Sequence, residues 1–483
     1  MKKNEIDMTE GPLFGKLLKF SIPIMASGIL QLLFNAVDTI VVGRFVGDEA
    51  LAAVGSTGAL INLIIGLFLG VASGSNVLCA QYYGAKRKKD VEEVVHTSIL
   101  ISVIFGVILA VIGFAFSRTF LEWMDVRDKD VIELSSLYLK IYFLGCPAML
   151  LYNFAASILR SVGDTKRPLI ILTISGVLNV ILNLVFVIGF GMSVEGVAIP
   201  TVITQVLSAV LITIVLIRED SMIKLVPKNI RIVRDKLFKM LRIGIPAGLQ
   251  GCVFSLSNVL VQSSINGFGK LAMAGNTAAA NLEGFVYQGM VAFHYAAINF
   301  TAQNIGAGKF DRIKKIMWMC LGIVLVVGLL LGNGIYFLSP YLLQIYTTTP
   351  ESIEIGRTKL AIVSTTYAIC GLMDVMSGMV KGTGASVTPM ITSLTGACLT
   401  RIIWIFTVFQ ADHTLSTLFF CYPVSWTLTF LAHAVCFAVL MKRMKKRMAL
   451  DAEEHKKKYF GRLKYDAERL LKLKKNQGDK NGT

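Results

Sequence analysis

The chain has 483 residues, of which 54% are hydrophobic and only 16% are charged, and its mean hydropathy is +0.65. This composition is too apolar for a soluble protein of this length, so the sequence indicates a membrane protein. The net charge of +17 comes from cations in the loops and the C-terminal region, where membrane topology and anionic lipid at the cytoplasmic face explain them, and we expect no nucleic-acid partner.

Apolar stretches separated by short polar loops predict an all-α polytopic membrane protein with twelve transmembrane helices, numbered here as spans 1 to 12. Their predicted ranges are 17–42, 51–79, 92–116, 135–159, 168–190, 194–217, 239–266, 272–303, 312–338, 356–380, 388–410 and 414–441. The predicted organisation is a cytoplasmic N-terminus at 1–15, a first six-helix bundle at 16–217, a cytoplasmic linker at 218–238, a second six-helix bundle at 239–441 and a basic cytoplasmic tail at 442–483.

Charge in the loops predicts the orientation of the spans. Loops on one side are rich in Lys and Arg, as at 86–89, 224–242 and 309–315, whereas loops on the other side carry mostly acids. The positive-inside rule therefore places both termini in the cytoplasm, in a multi-pass protein of the plasma membrane. The first apolar run is too long for a signal peptide, so we expect no cleavage.

The two halves of the chain repeat each other. Matched segments are LKFSIPIMASGILQ at 18–31 with LRIGIPAGLQGCVF at 241–254, AQYYGA at 80–85 with AQNIGA at 302–307, and SVGDTKRP at 161–168 with GTGASVTP at 382–389. Gly84 matches Gly306 and Pro168 matches Pro389, so the offset between the halves changes by a single position over this stretch. Such a repeat predicts two bundles related by pseudo-two-fold symmetry, which is the architecture of secondary transporters.

Three carboxylates lie inside predicted spans: Asp38 in span 1, Glu283 in span 8 and Asp374 in span 10. Burying an ionisable group in a bilayer costs roughly 2.5 to 3.5 kcal/mol, so such residues are usually functional. The alternative is that each acid only joins neighbouring helices. None of the three acids has an acid at the matching position of the other half, which favours a functional role.

Polar and aromatic side chains share helical faces with these acids and predict a cavity. The candidate substrate- or cation-binding residues are Glu283, Tyr287, Met290 and His294 in span 8, Tyr367 and Asp374 in span 10, and Arg401 in span 11. Arg401 is expected to pair with Asp374 or Glu283. His294 is either a core histidine or a proton relay. In span 2, Gly66, Gly70 and Gly74 predict a ridge for close helix packing.

Span 5 carries Asn179 and Asn183 one turn apart, and span 6 carries Thr201. Amide and hydroxyl oxygens beside a carboxylate are suitable ligands for Na⁺, and the same carboxylate can bind a proton. Asn side chains also join transmembrane helices by hydrogen bonds, which is the structural alternative. We therefore expect Asp38, Asn179, Asn183 and Thr201 to form a cation-coupling site for H⁺ or Na⁺, with the charge count favouring H⁺.

Enzyme motifs are absent from the sequence. No HExxH, GxSxG, CxxC or GxGxxG pattern is present, and GAGK at 306–309 lacks the first glycine of a phosphate-binding loop. The eight cysteines have no paired spacing. We expect no enzymatic activity and no cofactor apart from the transported ion, although a membrane-embedded enzyme stays as a remote alternative.

Several motifs together resemble the multidrug and toxic compound extrusion (MATE) family. They are FNAVDTIVVGRF at 34–45, LRSVGDTKRP at 159–168, AQNIGAGK at 302–309, and the acids Glu283 and Asp374. The resemblance covers all twelve spans. It implies a V-shaped pair of six-helix bundles that acts as an antiporter and exports bulky, often cationic organic compounds in exchange for Na⁺ or H⁺.

The resemblance also implies roles for individual residues. Asp38 matches an aspartate that takes part in cation coupling, together with positions matched by Asn179, Asn183 and Thr201. Many members of the family carry Asp where this chain has Asn183, so a two-carboxylate Na⁺ site is in question here. Glu283 and Asp374 match acids of another branch of the family. We expect a monomer, and a lipid-linked saccharide flippase of the same superfamily is the alternative function.

Overall fold

The computed structural model describes residues 5–124 and 129–478, and within these ranges the chain is helical without β-strands. The helices of the first half are α1 (Leu13–Phe45), α2 (Asp48–Gly84), α3 (Lys88–Trp123), α4 (Lys129–Leu144), α5 (Cys146–Ser161), α6 (Lys166–Leu184) and α7 (Glu195–Arg218). Those of the second half are α8 (Arg234–Asn266), α9 (Lys270–Gly306), α10 (Phe310–Leu342), α11 (Pro350–Ile362), α12 (Tyr367–Gly382), α13 (Val387–Ser393), α14 (Thr400–Phe406), α15 (Val408–Ala411) and α16 (Leu415–Gly478).

Length and apolar composition identify the membrane-spanning helices. Among the described residues nine helices qualify singly, and the bent pairs α4–α5 and α11–α12 raise the number to eleven. The remaining predicted span is span 8, which corresponds to α9, a helix of 37 residues that packs against α10, α11 and α12. Its lower hydropathy follows from interior polar residues such as Asn299, Gln303 and Asn304. The predicted all-α architecture of two six-helix bundles is confirmed.

Several helices extend beyond the predicted spans by short polar helical turns at their ends. For example, α3 begins at Lys88, whereas the apolar run predicts a start at residue 92. Polar turns at a membrane surface keep their helical hydrogen bonds, so hydropathy alone underestimates helix length. The chain divides into a main unit that ends at Ala434 and a C-terminal unit that starts at Val435, in which α16 continues to Gly478.

Two helix bends occupy equivalent places in the two halves. The α4–α5 pair bends by 49° around Gly145, and the α11–α12 pair bends by 50° across residues 363–366. Gly145 and Thr366 are separated by the same offset as the matched prolines of the sequence repeat. In the first half, Pro147 lies at the start of α5, where its missing N–H leaves no hydrogen bond unmade. The repeat therefore extends to backbone shape as well as to sequence.

Helix α2 of the first half and helix α8 of the second half are in close backbone contact. A Cβ atom on Gly70 would overlap the backbone nitrogen of Gly248, and one on Gly74 would overlap the carbonyl oxygen of Met240. Gly66 differs from the prediction, because a Cβ there meets no atom within 4 Å. The close-packing ridge of α2 therefore consists of Gly70 and Gly74 without Gly66.

This difference gives a matched pair of variants on one helix. Gly70→Ala is expected to lower thermal stability by about 1 to 3 kcal/mol, because its methyl group would overlap the backbone of α8. Gly66→Ala adds the same methyl group in open space and should stabilise α2 by up to about 1 kcal/mol through helix propensity. Thermal unfolding of the purified proteins in one detergent tests this, and equal melting temperatures would contradict the described helix contact.

Residues 5–11, called here the N-terminal strap, join the two halves at the end of the bundle that carries the basic loops, called the basic end. Ile6 donates its backbone N–H to the carbonyl of Val162 at 3.3 Å in the first half. Met8 donates its N–H to Gln303 Oε1 at 3.3 Å and accepts from Asn304 Nδ2 at 3.0 Å in the second half. Met8 is 0% exposed, so the strap lies inside the molecule at this point.

Two glycines of the repeated motifs explain how the halves approach at the basic end. A Cβ atom on Gly84 would overlap the carbonyl oxygen of Gln303, and one on Gly306 would overlap that of Gln81. The AQYYGA and AQNIGA segments therefore contact each other reciprocally. Gly163 has a φ of +89° and lies against Ile6 of the strap, so both its backbone conformation and the available space require glycine.

Candidate functional site

In the first half, hydrogen bonds connect all four predicted cation-coupling residues, which we call the first-half cluster. Asn183 Nδ2 in α6 donates to Asp38 Oδ1 in α1 at 2.5 Å and to Asn179 Oδ1 at 3.3 Å. Asn179 Nδ2 donates to Thr201 Oγ1 in α7 at 3.4 Å. Helical spacing explains the arrangement, because residues four apart on α6 face the same side.

The first-half cluster contains an acid with neutral partners only. In the described part of the chain Asp38 has no ion pair with a basic side chain, and Asn183 supplies its hydrogen bond. Asn183 is 0% exposed, and its Oδ1 atom accepts no hydrogen bond from the described residues. Asp38 is half-buried, and a carboxylate beside a spare amide oxygen suits a proton or a hard monovalent cation such as Na⁺.

Sequence reasoning missed Tyr138, which lies in α4 and is close enough to Asp38 to interact electrostatically. Tyr138 is buried, and its ring stacks on that of Tyr142 with 6.0 Å between centroids. In the sequence it is one aromatic residue among many in span 4, and only the fold shows which helix faces Asp38.

In the second half, Glu283 forms an ion pair that was not predicted. Its Oε2 atom lies 3.2 Å from Nζ of Lys359 in α11, and the two side chains are 9% and 4% exposed. Lys359 is not among the predicted site residues because the predicted span begins at residue 356, which places this lysine at a helix end. The structure starts α11 at Pro350 and so carries Lys359 into its third turn.

The predicted pairing of Arg401 with Glu283 or Asp374 is wrong. Arg401 donates from Nη1 to Asn258 Oδ1 at 2.8 Å and from Nε to Ser425 Oγ at 3.1 Å. Its guanidinium also lies 4.5 Å from the ring centroid of Tyr422. Within the described ranges these partners are neutral, and aromatic and hydroxyl groups solvate the buried charge. Arg401 therefore joins α8, α14 and α16.

Asp374 has surroundings different from those of Glu283. Tyr287 in α9 and Lys381 at the end of α12 both interact electrostatically with its carboxylate. His294 Nδ1 lies 2.6 Å from the backbone carbonyl oxygen of Asp374, so this histidine contacts the main chain of α12. His294 thus lies against the helix that carries Asp374, and the two acids of the second half have separate partners.

Of two further candidates, Met290 is buried and Tyr367 is half-buried. Met290 is 1% exposed, and Cβ atoms on Gly328 or Gly371 would press against its sulfur, so it fills the space between α9, α10 and α12. It therefore does not line a cavity, contrary to expectation. Tyr367 packs edge-on against Trp426 with 5.2 Å between ring centroids.

Comparison with known proteins gives matches over both halves. The family model described as MatE matches residues 23–185 and 246–407. The probable multidrug resistance protein YoeA of Bacillus subtilis (strain 168) is 31% identical over 78% of this chain and 82% of its own length. An FAD transporter of Shewanella oneidensis is 24% identical over 78% of this chain and 83% of its own.

Solved structures share the fold. The outward-facing conformation of a multidrug resistance MATE family transporter of the MOP superfamily has a TM-score of 0.85 at 20% identity, covering 92% of this chain and 99% of that one. The family model matches each half of the repeat once, and the relative YoeA is aligned over most of both chains. The chain therefore belongs to the MatE family of multi-pass membrane transporters.

Proposed function

We propose that the protein is a secondary antiporter that exports amphipathic, cationic organic compounds across the plasma membrane in exchange for H⁺ or Na⁺. The observation that carries the proposal is the first-half cluster, in which Asp38 is hydrogen-bonded to Asn183 and has no ion pair among the described residues. An acid without a basic partner in a membrane is available to a transported cation. Relatives named as multidrug resistance and multidrug export proteins support the substrate class.

Exchange requires that the ion and the substrate favour different conformations. Binding of a cation neutralises the charge of Asp38. It therefore stabilises the conformation in which the packing of α1 against α6 encloses this residue. A substrate that binds better in the other conformation is then released, and the coupling is reciprocal. The N-terminal strap and the glycine contacts belong to the conformation closed at the basic end, which we assign to the cytoplasmic side together with both termini.

Transport in liposomes tests this function. Purified protein is reconstituted, and uptake of ethidium, a cationic dye, is followed by fluorescence while a pH gradient and a Na⁺ gradient are imposed separately. Uphill dye movement driven by one of the gradients supports antiport, and the active gradient identifies the ion. Dye movement that is independent of both gradients argues against coupled transport.

The identity of the residue at position 183 is expected to control ion preference. Asn183→Asp places a second carboxylate beside Asp38, and two adjacent negative charges repel unless a cation lies between them. We therefore expect Na⁺ to stimulate transport more strongly in this variant than in the wild type, with the same liposome assay as readout. Asn183→Leu, which removes the amide without adding charge, serves as the control. An unchanged ion preference in Asn183→Asp would count against the charge argument.

A second candidate function is export of anionic amphiphiles, a class that includes the lipid-linked saccharides of the flippase alternative. The buried charges of the second half include the cations Lys359 and Arg401 as well as the acid Glu283. One relative is named as an FAD transporter, and FAD is an anionic compound. Competition of FAD with ethidium in the liposome assay distinguishes the candidates, because only an anion-binding cavity predicts inhibition by FAD.

A further inference from the structure

The Glu283–Lys359 pair is fixed by a close helix contact. A Cβ atom on Gly275 of α9 would overlap the carbonyl oxygen of Ser352 and lie 3.0 Å from the nitrogen of Gly356, so α9 and α11 touch through their backbones. This contact brings Lys359 over Glu283, and both side chains are buried. The ion pair is therefore built into the packing of the second half.

The repeat gives this lysine a counterpart beside the acid of the first half. Lys359 and Tyr138 are separated by the same offset as the two helix bends, and each precedes the bend of its span. Tyr138 interacts electrostatically with Asp38, and Lys359 forms an ion pair with Glu283. The equivalent positions thus carry a neutral phenol in the first half and an ammonium in the second.

We propose that Lys359 is a built-in counter-cation that takes the place of a transported ion at Glu283. The ammonium balances the buried carboxylate permanently, so the second half binds no coupling ion at this acid. Cation exchange is then confined to Asp38. The statement that cation exchange is confined to Asp38 rests on the antiport proposed above. The statement that Lys359 balances the charge of Glu283 does not depend on it.

The surroundings of Glu283 fit this assignment. Its Oε1 atom is buried and accepts no hydrogen bond within the described ranges, so Lys359 is the partner that balances the carboxylate. Among the described residues, Tyr367, Cys370 and Tyr422 also interact with Glu283, and none of these three side chains supplies a positive charge. Removal of Lys359 would leave a buried, uncompensated charge, which is strongly destabilising unless a cation or proton replaces the ammonium.

Thermal stability of purified full-length protein tests the proposal without any transport assay. All variants carry Asp38→Asn, so that the first-half cluster gives no ion response, and melting is compared in NaCl and choline chloride of equal concentration and at pH 5.5 and 7.5. Lys359→Met is expected to melt lower at pH 7.5 in choline and to regain on the order of 5 °C with Na⁺ or at pH 5.5. Lys359→Arg and Lys359→Met/Glu283→Gln should show neither the loss nor the regain.

Each outcome bears on the proposal. If Lys359→Met yields no folded protein while the double variant folds, charge compensation is supported. A Lys359→Met protein as stable as its parent and insensitive to ions overturns the proposal, and so does a double variant that stays as unstable as Lys359→Met, because the lysine then acts through packing alone.

Ion stoichiometry, measured in liposomes from the membrane potential at which dye flux reverses, tests the coupling part. Lys359→Met with Asp38 intact should exchange one more cation per cycle than the wild type. An unchanged stoichiometry overturns the confinement of exchange to Asp38. If the wild type shows no ion-coupled transport, the antiport proposal fails, and the stability result still decides the role of Lys359.

Discussion

The Asp38→Asn protein is expected to fold and enter the membrane but to lose cation-driven efflux on the order of 100-fold. An amide at this position keeps a hydrogen-bonding oxygen for Asn183, so the packing of α1 against α6 is preserved. It cannot carry the negative charge that binds a proton or Na⁺. Gradient-driven ethidium transport in liposomes measures the loss, and thermal unfolding checks that the protein is intact.

Glu122→Gln is the matched control for this charge change. Glu122 is an exposed carboxylate near the end of α3, paired with Arg118 at 3.3 Å. Exposed pairs contribute little to stability, so its neutralisation should leave both stability and transport unchanged. Wild-type transport rates from a stable Asp38→Asn protein would exclude Asp38 as the coupling residue.

Asp374→Asn is expected to reduce transport of cationic compounds roughly tenfold or more, with little effect on neutral compounds of similar size, because a charge-assisted contact contributes about 1.5 to 3 kcal/mol. Asp374 differs from Glu283 in that no lysine forms a contact ion pair with it in the described part of the chain, where Lys381 and Tyr287 interact with it electrostatically. It is therefore the acid of the second half that is available to a cationic substrate. Uptake of matched cationic and neutral dyes by the same liposomes measures the selectivity.

Asp374→Glu keeps the charge and should keep most of the preference for cations. Loss of neutral as well as cationic transport would assign Asp374 a different role. If Asp374→Asn lost cationic and neutral transport equally while remaining well folded, Asp374 would drive the conformational cycle and would not select the substrate.

Local rules predicted the helices and the individual residues of the first-half cluster, and the resemblance to the MATE family implied that these residues act together. Twelve apolar runs, a repeat with a nearly constant offset and an acid inside a span are visible without a fold. The spacing of Asn179 and Asn183 places them on one face, and the cost of burying Asp38 indicates polar partners. The hydrogen bonds among these residues agree with that expectation.

The partners of the second-half charges depend on tertiary packing and were not predictable in the same way. Periodicity gives the face on which Glu283 or Arg401 lies, but the neighbour of that face is decided by helix rotation and bending. The bend between α11 and α12 separates Lys359 from Asp374 and leaves the lysine beside Glu283. Hydropathy also gave no indication of Lys359, because the predicted span begins at residue 356 and places this lysine at the end of a helix.

The N-terminal strap determines how readily the two halves separate at the basic end. It forms hydrogen bonds with Val162 in one half and with Gln303 and Asn304 in the other. Each such bond contributes only about 1 kcal/mol net. A rotation that opens this end must break the bonds to at least one half. A strap with fewer bonds would allow the basic end and the opposite end of the transporter to open at the same time, which would permit leakage. A strap with more bonds would slow the opening of the basic end in every transport cycle. The number of these bonds therefore balances leakage against transport rate.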